Sequence, residues 1–298
     1  MDGVLLIDKP VGPTSFDVVR DVRRWARERK AGHAGTLDPL ASGLLAVCLG
    51  EATKLVPFLQ DGSKRYLARL ALGSATDTDD LEGRVIREAS VPPLDRSVVE
   101  AALVRFVGIV RQVPPAYSAL KLKGVRLYDR ARRGEPVTPE AREVEIHRIA
   151  LVALGPDWLE LDVRCGKGTY IRSLARDVAR SLGTCGHLES LRRLASSGFD
   201  VGEAAPPERI EAASREGRLD ALVIPLARAL RYAPIVEVGD VDAARVLNGQ
   251  TLPLGAGQGP GEGALVRIVD SQGRLLAVSR IEAGYEGNVM RPQRGFRP

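Results

Sequence analysis

One junction constrains this chain more than any other: a glycine-rich polar stretch that runs straight into an unbroken apolar segment. Gly32 to Leu45 reads G-H-A-G-T-L-D-P-L-A-S-G-L-L, and the apolar run Leu44-Leu45-Ala46-Val47-Cys48-Leu49 closes it. A short apolar run of this kind suits a fully buried strand. The polar stretch is then a loop pinned to a core at its downstream end, the setting in which functional side chains are commonly carried. Asp38 precedes Pro39, and the proline ring steers the residue before it away from the helical region toward extended backbone. Spacing alone leaves two readings of that carboxylate open, an Asx-turn capping its own backbone or a reactive group.

The remainder of the chain divides into two textures. Val4-Leu5-Leu6-Ile7 predicts a buried strand that enters the turn-rich Asp8-Lys9-Pro10-Val11-Gly12-Pro13. Thr14 and Asp17 have capping-box spacing, and Phe16, Val18, Val19, Val22, Trp25 and Ala26 form an apolar stripe with Arg20, Arg23, Arg24 and Arg27 mostly opposite. Tyr66, Ala68, Leu70 and Leu72 alternate with Leu67, Arg69 and Ala71, so residues 65–72 read as a strand. Residues 73–80 are acidic, but the glycine and terminal glutamate of a calcium loop are missing, so no metal is expected there. A helix is predicted from Arg96 to about Val107 with Asp95 as cap. Another opens near Thr169-Tyr170, with Ile171, Leu174, Ala175, Val178 and Leu182 as its core stripe and Gly183 as its stop. After Pro225 the helical patterns thin out. Residues 235–238, 265–269 and 275–281 read as short strands between glycine-rich turns such as 255–263, which predicts a small all-β, barrel-like unit from about residue 231.

Bulk properties narrow the class. A length of 298 residues suits about two domains, and a net charge of +5 suits a polyanionic partner only if the charge is concentrated. It is concentrated between Tyr117 and Arg133, where Lys121, Lys123, Arg126, Arg130, Arg132 and Arg133 face a single acid, Asp129, with Tyr117 and Tyr128 interleaved. That mixture suits phosphate contacts and base stacking on looped RNA, although a solvated charged face has the same composition. Cys48, Cys165 and Cys185 are too scattered for a disulfide framework or a zinc site, which fits a reducing cytoplasm. No leader peptide and no membrane span are expected from the N-terminal composition or from any apolar run.

Several of these segments together resemble the TruB-type tRNA pseudouridine-55 synthases. The pattern G-H-x-G-x-L-D-P-x-A-x-G-x-L is met at every fixed position from Gly32 to Leu45; D-K-P-x-G-x-T-S is met at Asp8 to Ser15, K-R-Y at Lys64 to Tyr66, G-T-Y-I-R at Gly168 to Arg172 and L-R-R-L at Leu191 to Leu194. The resemblance covers roughly residues 3–230, and a looser one, by pattern and position, relates the C-terminal unit to the PUA RNA-binding domain. It implies an α+β fold: a catalytic domain, residues 1–230, with a central, mainly antiparallel sheet flanked by helices, and a PUA-like domain, residues 231–298.

The resemblance also implies the chemistry. Pseudouridine formation breaks a uridine's N-glycosidic bond, turns the uracil and rejoins it through carbon, after the nucleotide is flipped from its stack. Such chemistry needs a carboxylate beside the sugar, and Asp38 is its implied catalytic residue. Arg172 is implied as the ion-pair partner that orients Asp38. Tyr66 stacks on the uracil, Tyr170 packs in the same pocket, His33 fills or steadies the vacated space, Leu191 is an apolar wall and Lys9 lies near the substrate or is structural. Lys121, Lys123, Arg126 and Arg130 are implied contacts to the RNA backbone. No cofactor and no metal are expected; the partner is the T stem-loop of tRNA, and the chain is expected to act as a cytoplasmic monomer. Two other readings stay open, a guide-RNA-dependent relative and a non-catalytic RNA-binding or RNA-folding protein.

Overall fold

The structure is a computed structural model that describes residues 1–117, 139–254, 260–285 and 287–296, together with the backbone of 121–122 and 125–126. A ten-stranded sheet runs through its larger part. Its main path is Val223–Pro225, Gly3–Lys9, Ala41–Leu49, Gly186–Ser196, Lys64–Leu72, Trp158–Cys165, Arg142–Leu154 and Gly108–Gln112. Ala31–His33 and Phe199–Asp200 pair beside it. Its pairings are antiparallel except one: Leu191, Arg192 and Arg193 lie parallel to Ala41, Ser42 and Gly43. The expected α+β class with a mainly antiparallel sheet is the fold observed.

The apolar runs are explained by what covers each face. Leu5, Ile7, Leu45, Val47 and Leu49 enter one core with the helices Ser15–Ala26 and Ile171–Ser181. Val4, Leu6, Leu44, Ala46 and Cys48 enter a second core on the opposite face, with Leu55, Leu59 and Phe199. Successive residues of a strand point to opposite faces, so a strand covered on both sides has no use for polar residues. Further out, Tyr66, Ala68, Leu70 and Leu72 are buried while their neighbours are exposed or half-buried, as the alternation requires.

Local signals hold where they are strongest. Thr14 and Asp17 form both bonds of the capping box: the Thr14 amide donates to the Asp17 carboxylate at 3.0 Å, and the Asp17 amide donates to Thr14 Oγ1 at 3.1 Å. Phe16 departs from expectation. Expected in the apolar stripe, it is 66% exposed, because the buried face is Ser15, Val18, Val19 and Val22 and Phe16 lies about 100° round the helix from Ser15. The predicted Arg96–Val107 helix is α-helical only to Leu103; Val104–Phe106 tightens to a 3₁₀ turn before Gly108 at φ +97°.

The C-terminal residues form a separate five-stranded sheet, in the order Ile235–Glu237, Leu265–Val269, Leu275–Gly284, Gly287–Gly295 and Leu252–Pro253. Three elements there go beyond the expected pattern: the strands Leu252–Pro253 and Gly287–Gly295 and an eight-residue helix, Asp240–Leu247, that buries Val246 in the sheet's own core. Val269, Leu275, Val278 and Phe296 extend into the second core of the large sheet, so the two sheets share one apolar seam. Most of the expected turn at 255–263 lies outside the described residues.

Candidate active site

Asp38 sits on the loop between Ala31–His33 and Ala41–Leu49, and its side chain is 36% exposed. Arg172, in the first turn of the Ile171–Ser181 helix, meets it in an ion pair, its Nε 3.0 Å from Asp38 Oδ2. The arginine is no surface residue, being only 7% exposed. Its remaining donors go to Asp80 Oδ2 at 3.2 Å, the Thr78 carbonyl at 3.1 Å and the Tyr117 carbonyl at 2.9 Å. A guanidinium held by three other oxygens has little freedom to swing, so Asp38 meets a positive charge fixed in place. Gln112 sets the start of that helix, donating from its side chain to the Tyr170 carbonyl at 3.1 Å and accepting from the Tyr170 amide at 2.8 Å.

Tyr66 is buried at 9% exposure, in the core cluster that also holds Leu191, Leu37 and Leu40. Burial raises its phenol pKa; Arg193 counters through charge and hydrogen bonding, and Asp38 is close enough to add to the rise. Leu191 pairs with Ala41 on one side and Ala68 on the other, so it stands between the Asp38 loop and the Tyr66 strand. Lys9 is fully buried, its ammonium donating to the carbonyls of Pro10 and Pro13 at 2.8 Å each. Burial lowers its pKa to about 8, Asp38 partly offsets the fall and Arg193 deepens it. His33 is half-buried, its Nδ1 has no partner among the described residues, and burial followed by Arg193 lowers its pKa.

The structure thus brings Asp38, Arg172, Tyr66, Lys9 and Leu191 to one place, with Tyr170 at the helix mouth and His33 on the loop's upstream arm. Lys123 and Arg130 lie outside the described residues, as do the side chains of Lys121 and Arg126. Three participants are not legible as such in the sequence. Asp80 belongs to the acidic stretch that fails as a calcium loop and so carries no assigned role; two of its acids are engaged by arginines, Asp80 by Arg172 and Asp79 by Arg176 at 2.7 Å. Gln112 carries no signal. Arg193 is 2% exposed, while its neighbour Arg192 reaches outward to Asp8 at 2.7 Å. Adjacent basic residues on a strand must face opposite sides, which is the available clue.

An arginine-held carboxylate beside a buried tyrosine, on a loop rooted in a mixed sheet, is equipped for chemistry at a sugar–base bond. Comparison with known proteins gives the family. The model of the TruB family pseudouridylate synthase (N terminal domain) matches residues 23–171. The tRNA pseudouridine synthase B of Bradyrhizobium diazoefficiens is 44% identical over 288 residues, 95% of this chain and 83% of that protein. The Paracoccus denitrificans protein of the same name is 42% identical over 295 residues, 99% and 96%. A solved Cbf5-Nop10-Gar1 complex contains a chain that superposes with a TM-score of 0.77 at 26% identity, covering 99% of this chain and 85% of that one. The chain belongs to the TruB family of pseudouridylate synthases, and it is therefore an isomerase.

Proposed function

We propose that the protein converts the T-loop uridine of tRNA to pseudouridine, with Asp38 as its essential carboxylate. The observation that carries this reading is the 3.0 Å contact between Asp38 and the buried Arg172, formed beside Tyr66. In the reaction the bond from C1′ to N1 breaks, the uracil turns, and C1′ joins C5; N1 gains a proton and C5 loses one. Nothing is oxidised or reduced. Asp38 stands where cleavage at a sugar needs a nucleophile or a base. Arg172 orients it, Tyr66 stacks on the extruded uracil, and Leu191 and Tyr170 line the same pocket. His33 steadies the space that the flipped nucleotide leaves.

Chemistry then falls to residues 1–230 and additional RNA contact to residues 231–298. Lys121, Lys123, Arg126 and Arg130 hold the phosphates of the T stem-loop. The enzyme acts as a cytoplasmic monomer. Among the described residues no helix is long and apolar enough to cross a membrane. The named function of the curated relatives supports tRNA as the substrate. Asp38→Asn, nearly isosteric, tests the reading: it should bind tRNA with parental affinity and lower pseudouridine formation by at least about 10³-fold, the scale of a lost acid–base or nucleophilic group. An Asp38→Asn enzyme that still forms pseudouridine at the parental rate removes Asp38 from the chemistry.

A further inference from the structure

We propose that Arg193 is a positioning residue for this reaction, a buried clamp that ties both arms of the Asp38 loop to the strand position directly across from Tyr66. Its Nε donates to the Leu44 carbonyl at 2.7 Å, downstream of Asp38. Its Nη2 and Nη1 donate to the carbonyls of Gly35 at 3.1 Å and Thr36 at 3.4 Å, upstream of Asp38. One planar guanidinium thus spans the root of the loop, which the single donor point of a lysine cannot do. The approach is built in. Gly43 holds φ +100°, and a Cβ there would stand 2.3 Å from the Arg193 carbonyl oxygen, so only glycine lets the two strands close at their three-residue parallel contact.

The arginine's charge also has work to do. Among the described residues no carboxylate forms an ion pair with Arg193, although it is 2% exposed. A buried cation satisfied by carbonyls alone is costly, and such a cost is retained where the field is used. The groups that feel it are Tyr66, Lys9, His33 and Lys64. The charged or titratable groups facing the Tyr66 phenol are Arg193 from the Gly186–Ser196 strand, Cys165 from Trp158–Cys165 and Asp38 from the loop. Arg193 is the cation among them. Arg193 and Tyr66 are partners across adjacent strands, so the clamp on the loop also sets the Asp38 arm relative to the Tyr66 strand.

Two measurements on the full chain decide this, and only the first rests on the pseudouridine-forming reading. In Arg193→Lys the single-turnover rate should fall about 100-fold, the scale of a small misplacement of reacting groups, while tRNA affinity and melting temperature keep parental values. In Arg193→Met the Tyr66 phenol should ionise at higher pH than in the parent, followed by phenolate absorbance with Tyr66→Phe partners subtracting the other tyrosines and Cys165. Arg193→Gln, neutral yet able to donate, serves the same titration if the methionine variant does not fold. A lysine variant with the parental rate, a rate loss matched by lost tRNA affinity, or an unmoved Tyr66 titration each overturns the proposal. Should the parent itself form no pseudouridine, the functional reading fails, and the titration still decides the clamp.

Discussion

The large sheet and its covering helices bury Arg172, Arg193, Lys9 and Lys64, whereas the five-stranded sheet closes its own core around Val246, Leu252, Val266, Ile268, Leu276, Ala277, Ile281 and Met290. Ion pairs of the smaller sheet, Arg291 with Glu282 and Arg274 with Asp270, stand at its rim with their arginines more than half exposed. Its buried arginine, Arg267, lies at the seam between the sheets and donates to the carbonyls of Ala227 and Ala233. Both sheets satisfy the same demand to hide apolar surface. Only the larger one concentrates cations inside, and a buried ion pair seldom improves on an apolar replacement. Their presence marks the part of the molecule where geometry matters more than stability.

The comparison can be broken most forcefully at Arg172. Replacing it by Met leaves Asp80, 3% exposed, without its cation, and should cost about 3–5 kcal/mol of unfolding free energy. Urea unfolding measures it; a cost below about 1 kcal/mol would mean that the pair is not buried in energetic terms. Ile281→Ala probes the other sheet at a fully buried apolar position and should cost about 2–5 kcal/mol through the cavity it leaves. Single-turnover pseudouridine formation at saturating RNA should not change, and a parallel loss of rate would show that the two sheets do not divide the work.

The buried lysines sharpen the contrast through pH. Burial lowers Lys9 and Lys64 to about 8, from an ordinary value of 10.5. Between those values the unfolded chain binds more protons than the folded one. Stability therefore rises from about pH 8 toward 10.5 and is lost again as pH falls back through that window. Urea midpoints across the window should rise less steeply in Lys64→Met than in the parent, and equal slopes would mean that Lys64 is charged in the fold without penalty. The smallest effect belongs to the rim: Arg291→Ala removes an exposed ion pair and should change stability by less than about 1 kcal/mol. A larger loss would show that the smaller sheet also depends on charge.

Much of this is legible in the chain. The runs Val4-Leu5-Leu6-Ile7 and Leu44 to Leu49 are plain because both faces of the sheet are covered along them. The cap at Thr14 and the alternation through Tyr66 depend only on neighbours a few residues away. Phe16 is misplaced because the buried face includes the small polar Ser15, which carries no apolar signal, while the apolar Phe16 beside it turns to solvent. Asp80 gets no role from the sequence, where its acidic stretch only fails as a calcium loop, because its partner Arg172 comes from a distant helix.

By itself the sequence determined the short-range features: buried strands, a capped helix, an aspartate held extended before proline, and the motifs that mark the family. Each rests on sterics or hydrogen bonding between near neighbours, which act whatever the rest of the chain does. Only the tertiary structure decided that Arg172 would be shared between Asp38 and Asp80, and that Arg193 would turn inward while Arg192 turned out. Both depend on which strands and helices come together, and the worth of a charge depends on the water excluded around it, a property of the assembled fold rather than of any residue in it.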